Sequence, residues 1–200
     1  MIYKFNVSPL LKEYELKRNP VIIRVNEFNE KSAKEFSQKM AAAHNTGQKV
    51  IPIIIDSYGG QVYSLMSMIA EIKAAKLPIM TIAQGKAMSC GAVLLTFGHD
   101  GMRFMDPNAT VMIHDVSSGM IGKVEDLKVG AKEADRLNEK IFKMMARNCG
   151  QADDHFLEKI KENSRADWYL EADECVDNNI VQHLRIPSMN IKIDVKIDVK

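Results

Sequence analysis

From residue 20 to residue 97 the chain alternates short apolar runs with helix-periodic stripes, and this alternation restricts the fold more than any other feature. Pro20 to Val25 reads as a buried strand, and Ala33, Phe36, Met40 and Ala43 then recur at helical spacing until Gly47 stops them. Val50 to Asp56 reads as a second strand. Pro52 within it points to an irregular or edge position, because proline has no N–H to give a ladder. Val62, Leu65, Ile69 and Ile72 stripe a helix that ends before Pro78. Pro78 to Ala83 makes a third strand, and Ser89 to Phe97 a short, almost wholly apolar helix that should be buried. Strand and helix in alternation predict a parallel α/β core.

The rest of the chain is less regular. Arg103 to Met105 and Thr110 to His114 read as short strands. A long amphipathic helix from about Val124 to Arg147 carries Leu127, Ala131, Ala134, Leu137 and Ile141 on one side, and a second runs from about Asp154 to Glu162. The tail from Ile191 repeats Lys-Ile-Asp-Val and reads as an edge strand or a frayed end. No low-complexity linker interrupts the chain, so residues 1–200 are expected to form a single domain, of a length that buries roughly 70% of its unfolded surface.

Composition removes several functional classes. A net charge of +1 gives no electrostatic reason to expect nucleic acid or an anionic membrane as partner. No apolar stretch reaches the eighteen or so residues that span a bilayer, and the charges at Lys4, Lys12, Glu13, Glu15, Lys17 and Arg18 argue against a signal peptide. Cys90, Cys149 and Cys175 are odd in number and widely spaced, which argues against disulfides and zinc and for a reducing cytoplasm. Cys149 and Cys175 read as small buried apolar residues.

Against this ordinary background one block stands out. Asp56-Ser57-Tyr58-Gly59-Gly60 closes the second strand with a glycine pair, Ser89 stands where the third strand region passes into the buried helix, and His114 ends an apolar strand. A serine hydroxyl is a poor nucleophile unless a base lies within hydrogen-bond reach and a third group holds that base. Ser89 has an ordinary alternative role as a helix N-cap. The same helix start, however, offers free N–H groups to a developing oxyanion, so the N–H of Cys90 is one candidate donor and that of Gly60 the other. Without the helix context Gly59-Gly60 would be a plain tight turn. Cys90 itself is a weaker nucleophile candidate, because its side chain should point away if Ser89 faces the cleft.

Among the histidines, His44 and His155 sit in polar stretches and are expected in solvent, and His99 beside Asp100-Gly101 reads as a turn. His183 completes the set of histidine candidates. His114 is placed to face a cleft at the carboxyl end of its strand, where α/β sites are normally built. Three carboxylates compete to orient it. Asp115 should point to the opposite face from its neighbour, Asp106 precedes Pro107 in a turn, and Asp167 lies between the second late helix and a new apolar segment. Spacing does not choose among them.

At this point the residues resemble the ClpP family, the proteolytic subunits of Clp-type serine proteases, over roughly residues 21 to 181. Ser57-Tyr58-Gly59-Gly60 looks like the family's Ser-Pro-Gly-Gly turn, and the segment Gly85 to Leu95 resembles its Gly-x-Ala-x-Ser-x-Gly-Ala-x-Leu-Leu nucleophile motif. Arg103-Phe104 followed by Pro107-Asn108, Val111-Met112-Ile113-His114, Gly119, Gly122, Asp126 and Cys149-Gly150-Gln151 fall on further family positions. Asp167-Trp168-Tyr169-Leu170 is similar to the segment that carries the family's acid, so the resemblance selects Asp167 over Asp115. The chain departs from the family at Tyr58, Cys90, Asp115-Val116 and Ala166, in a few extra residues between Gln151 and Asp167, in residues 1–20 and in a longer tail after Arg185.

The resemblance implies an α/β fold of the ClpP/crotonase-like ββα superhelical type with a protruding handle helix, two stacked heptameric rings, and a Ser89/His114/Asp167 triad with the N–H groups of Gly60 and Cys90 as oxyanion hole. No metal or cofactor is implied. Substrates would be unfolded polypeptides or peptides, with a separate Clp-family ATPase as unfoldase and the cytoplasm as location. Two other readings of the same fold compete. One is a crotonase-type acyl-CoA hydratase or isomerase, which needs no serine nucleophile. The other is a phage-type head-maturation protease or an inert ring subunit, which in the inert case would lack part of the triad.

Overall fold

A computed structural model describes residues 20–117 and 121–188. The N-terminal segment up to residue 19, Gly119 and the repetitive tail from residue 191 lie outside the described residues. Twelve elements follow in order: β1 (Ile23–Val25), α1 (Glu30–His44), β2 (Ile51–Ser57), α2 (Val62–Ala74), β3 (Ile79–Met88), α3 (Cys90–Leu95), β4 (Arg103–Met105), β5 (Thr110–Ile113), α4 (Val124–Asn148), α5 (His155–Glu162), β6 (Trp168–Leu170) and α6 (Ala172–Asp177). The strands form one sheet in the order β1-β2-β3-β5-β6, with β4 also on β3. All pairings are parallel except β5 with β6. The expected parallel α/β core is therefore present, with one antiparallel strand added at its margin.

Side-chain alternation distributes the strands' apolar residues over two faces. Ile53 and Ile55 join Phe36, Met40, Leu65 and Met68 in the main core, whereas Ile54, Ile82 and Phe104 form a small separate cluster. Apolar residues facing both ways explain why β2 reads as an unbroken apolar run rather than an alternating one.

Of the two positions Pro52 suggested, irregular or edge, the edge is corrected, because β2 lies inside the sheet. Ile51 N–H donates to the Pro78 carbonyl on the β3 side, so the next residue's nitrogen faces β1. The β1 ladder begins only opposite Ile53. The missing proline N–H therefore falls where no acceptor strand has yet begun.

β3 is longer than its apolar pattern predicts and organises the site. Thr81 to Ala83 pair with β4, and Lys86 to Met88 pair with β5. On the other side the register jumps from Ile55↔Ala83 to Ser57↔Ala87, so β3 holds two extra residues there. Gly85, at φ +86°, takes up this bulge with the Asp56 carboxylate against it. The bulge interrupts the sequence periodicity, so the apolar pattern stops at Ala83 while the strand continues to Met88.

α4 behaves differently at its two ends. Leu137, Ile141, Phe142, Met145 and Ala146 are buried, while Val124, Leu127 and Val129 are exposed. The stripe through Leu127, Ala131, Ala134 and Ile141 is thus buried only in its second half, and Val129 lies on the opposite side of the helix. A guanidinium finishes the helix: Arg103, 1% exposed, donates from Nη1 to the Asn148 carbonyl at 2.7 Å and from Nη2 to Asn179 Oδ1 at 3.2 Å. A cation among the last carbonyls of a helix is favourable, although burial pulls its pKa down. No helix among the described residues is long and apolar enough to cross a membrane.

Candidate active site

The carboxyl ends of β2, β3 and β5 meet at one pocket, lined by Gly60, Ser89, Cys90, Ile113, His114 and Phe142 among others, with room of about 50 Å³. That is space for a few waters.

Ser89 forms the sharp turn from β3 into α3, with φ 54° and ψ −120°. A left-handed φ at a residue with a Cβ costs on the order of 1–3 kcal/mol and persists only where the surroundings enforce it. Here they do: the Ser89 N–H donates to the Met112 carbonyl at 2.8 Å, continuing the pairing with β5, and its carbonyl accepts from Val93 in the buried helix at 3.2 Å. Ser89 occupies the N-cap position, yet its hydroxyl makes no capping bond. The strained backbone turns the side chain into the pocket instead.

The glycine pair is sterically required. A Cβ on Gly59 would lie 2.7 Å from Ser89 Cβ, and one on Gly60 would lie 2.4 Å from the Phe28 carbonyl oxygen. The Phe28 backbone clips the turn from both sides, donating to the Gly59 carbonyl at 3.3 Å and accepting from the Gln61 N–H at 2.7 Å. The buried Ser57 hydroxyl accepts from the Gly59 N–H at 3.0 Å. Among the described residues the N–H groups of Gly60 and Cys90 have no acceptor, so two unengaged donors border the pocket beside Ser89. The Cys90 thiol points away and donates to the Gly60 carbonyl at 3.3 Å. Burial pushes that thiol up to about 11, which keeps it protonated and a poor nucleophile at neutral pH.

His114 follows the last residue of β5. The β5–β6 ladder pairs Val111↔Leu170, Met112↔Tyr169 and Ile113↔Trp168, and one further step along this antiparallel register sets His114 opposite Asp167. Residues directly opposite share a face. His114 Nδ1 lies 3.7 Å from Asp167 Oδ1, with the histidine side chain 23% and the aspartate 50% exposed. This is ion-pair distance, longer than a hydrogen bond. Ser89 and His114 share the pocket without a hydrogen bond between them among the described residues. Gaps of this kind are common before substrate binds and close in the reacting complex.

Asp115 turns away from the ring as strand alternation requires, and its Oδ2 accepts from Arg165 Nη1 at 2.9 Å. Asp106 accepts from the Asn108 N–H in its own turn. Two other histidine expectations need correcting. His44 is half-buried, its Nδ1 2.7 Å from the Met40 carbonyl and its Nε2 accepting from the Lys76 N–H at 3.0 Å, so it ties the ends of α1 and α2 together. His155 is likewise held, 2.9 Å from Asn178 Oδ1. His99 accepts from the Ile79 N–H and His183 stacks on Phe104, both remote from the pocket lining.

Sequence reasoning did not single out Phe28, Arg165 or Asn138, and it read Ser57 only as part of the glycine turn. Asn138, 8% exposed on α4, accepts from the Val116 N–H at 2.6 Å and fastens the segment after His114 to the long helix. Its burial between Leu137 and Ile141 was open to detection as a polar residue inside an apolar stripe.

A family model described as Clp protease matches residues 11–185. The match spans most of the chain, and the chain belongs to the Clp protease family, whose α/β fold the sheet and helices described above reproduce. Membership implies a peptidase of the serine type.

Proposed function

We infer that the chain is the proteolytic subunit of a Clp-type protease, a single peptidase domain that hydrolyses peptide bonds with Ser89, His114 and Asp167. The observation that carries this reading is the strained Ser89 turn flanked by two unengaged N–H groups, because a plain N-cap needs neither.

In the first half-reaction Ser89 Oγ attacks the peptide carbonyl carbon while His114 Nε2 takes the hydroxyl proton. Asp167, facing Nδ1, fixes the tautomer and stabilises the imidazolium. The N–H groups of Gly60 and Cys90 hold the oxyanion, each contributing about 3 kcal/mol of transition-state stabilisation. His114 then delivers the proton to the departing amine, leaving an acyl-Ser89. In the second half-reaction a water, deprotonated by His114, attacks the acyl carbon and releases the carboxylate product and free Ser89.

The exposed Val124, Leu127 and Val129 on α4 support assembly through that helix into two stacked heptameric rings that enclose the sites. Substrates in such a chamber are unfolded polypeptides and peptides, and a Clp-family ATPase in the cytoplasm delivers the folded ones.

The test is labelling with a fluorophosphonate together with turnover of a small fluorogenic peptide, in the wild type and in Ser89→Ala. The wild type should label and turn over, and Ser89→Ala should do neither beyond a residual rate. Labelling that persists in Ser89→Ala removes the assignment.

A further inference from the structure

We propose that Asp115 and Arg165 form a positioning clamp that keeps the Asp167 carboxylate opposite the His114 ring; this role rests on the hydrolase reading above. The base and the acid are held together by little else. β6 has three residues, and its last pair with β5 is Ile113↔Trp168. His114 and Asp167 form the next rung, beyond the ladder's end. Asp167 is half exposed, and among the described residues its carboxylate accepts no hydrogen bond.

Immediately outside that rung lies the ion pair. Asp115 adjoins His114, Arg165 stands two residues before Asp167, and the 2.9 Å contact joins segments 50 residues apart in the chain. The His114–Asp167 rung is therefore enclosed, by backbone pairing on one side and by opposite charges on the other. The chain takes an unusual path to make this contact. Ser164 and Arg165 both adopt left-handed backbone, at φ 56° and 58°, a conformation that residues with a Cβ rarely take twice in succession. The Asn163 side-chain amide donates to the carbonyls of Ala166 and Asp167 at 3.3 Å each and stabilises the reversal. A loop that only connected α5 to β6 would need neither the left-handed pair nor an arginine turned back toward the base segment.

An exposed ion pair contributes little to global stability, so its effect should appear in geometry. Displacing a reacting group by about 1 Å can cost up to roughly 100-fold in rate. Asp115→Asn and Arg165→Ala should each lower kcat for the fluorogenic peptide roughly tenfold, within that range, and leave KM nearly unchanged. The charge exchange Asp115→Arg with Arg165→Asp should recover most of the loss, whereas either half of the exchange alone should not.

Hydrogen exchange at the Trp168 to Leu170 amides provides a readout independent of turnover: faster in the single variants and slow again in the exchange. Single variants with wild-type kcat and exchange, or an exchanged protein as slow as its halves, overturn the clamp. A wild type that fails to label at Ser89 overturns the hydrolase reading itself. That failure is distinguishable, because the exchange rates of β6 would still respond to the ion pair.

Discussion

The two sides of the pocket are built to different standards. On the Ser89 side every group is fixed by buried backbone: α3 is wholly buried, Phe28 clips the glycine pair, and added Cβ atoms at Gly59 and Gly60 would meet neighbours at 2.7 and 2.4 Å. On the Asp167 side a three-residue edge strand carries a half-exposed carboxylate 3.7 Å from its imidazole. On the proposed mechanism, the half that would bind the electrophile is prearranged and the half that would handle the proton is adjustable. Preorganised dipoles lose their value when displaced, whereas a side-chain carboxylate needs only to arrive when the imidazolium forms.

The largest effect expected from this contrast is at Gly60. Gly60→Ala forces a Cβ against the Phe28 carbonyl at φ +145°; it should lower kcat about 1,000-fold through the displaced donor, with about 1–3 kcal/mol of backbone strain visible in a denaturant midpoint. Asp167→Asn should cost less, about 100-fold in kcat. That falls below the roughly 10⁴-fold typical of an acid already buried and hydrogen-bonded to its histidine. If Asp167→Asn proves the more damaging of the two, the acid side is not the adjustable one and the comparison fails. The smallest effect concerns the thiols. Burial pushes Cys90 up to about 11 and Cys149 and Cys175 up to about 12. Raised values favour the protonated form in the folded state, so this contribution is complete below the unfolded value near 9 and is lost as pH rises through 11. Iodoacetamide at pH 8 should therefore leave the native protein unmodified and alkylate the three cysteines only after unfolding, as read by mass.

How much of this was legible in the sequence follows the same division. β2, α2 and the buried α3 were readable because each is a long enough apolar or periodic run to be recognised alone. Ser89, the glycine pair and His114 were readable as candidates because they sit at the ends of those runs. Spacing alone did not choose the proposed acid: strand alternation argued against Asp115, the family resemblance pointed to Asp167, and the antiparallel β5–β6 register brings Asp167 opposite His114. Trp168-Tyr169-Leu170 is too short to show an alternation, and its pairing is a tertiary fact. The bulge at Gly85 hid half of β3, and the interior position of Pro52 depends on where β1 begins. His44 and His155 appeared solvent-bound because their neighbours are polar, while the groups that hold them, Lys76 and Asn178, lie 32 and 23 residues away. The two fates of α4 were likewise invisible in a stripe that is continuous along the helix.

A structure of the phosphonylated protein would bear most directly on the central claim. It should show phosphorus bonded to Ser89 Oγ, with one phosphonyl oxygen about 2.7–3.1 Å from the backbone nitrogens of both Gly60 and Cys90, and the His114 ring within hydrogen-bond reach of Oγ. An adduct on any other residue, or a phosphonyl oxygen directed away from both nitrogens, would contradict that claim.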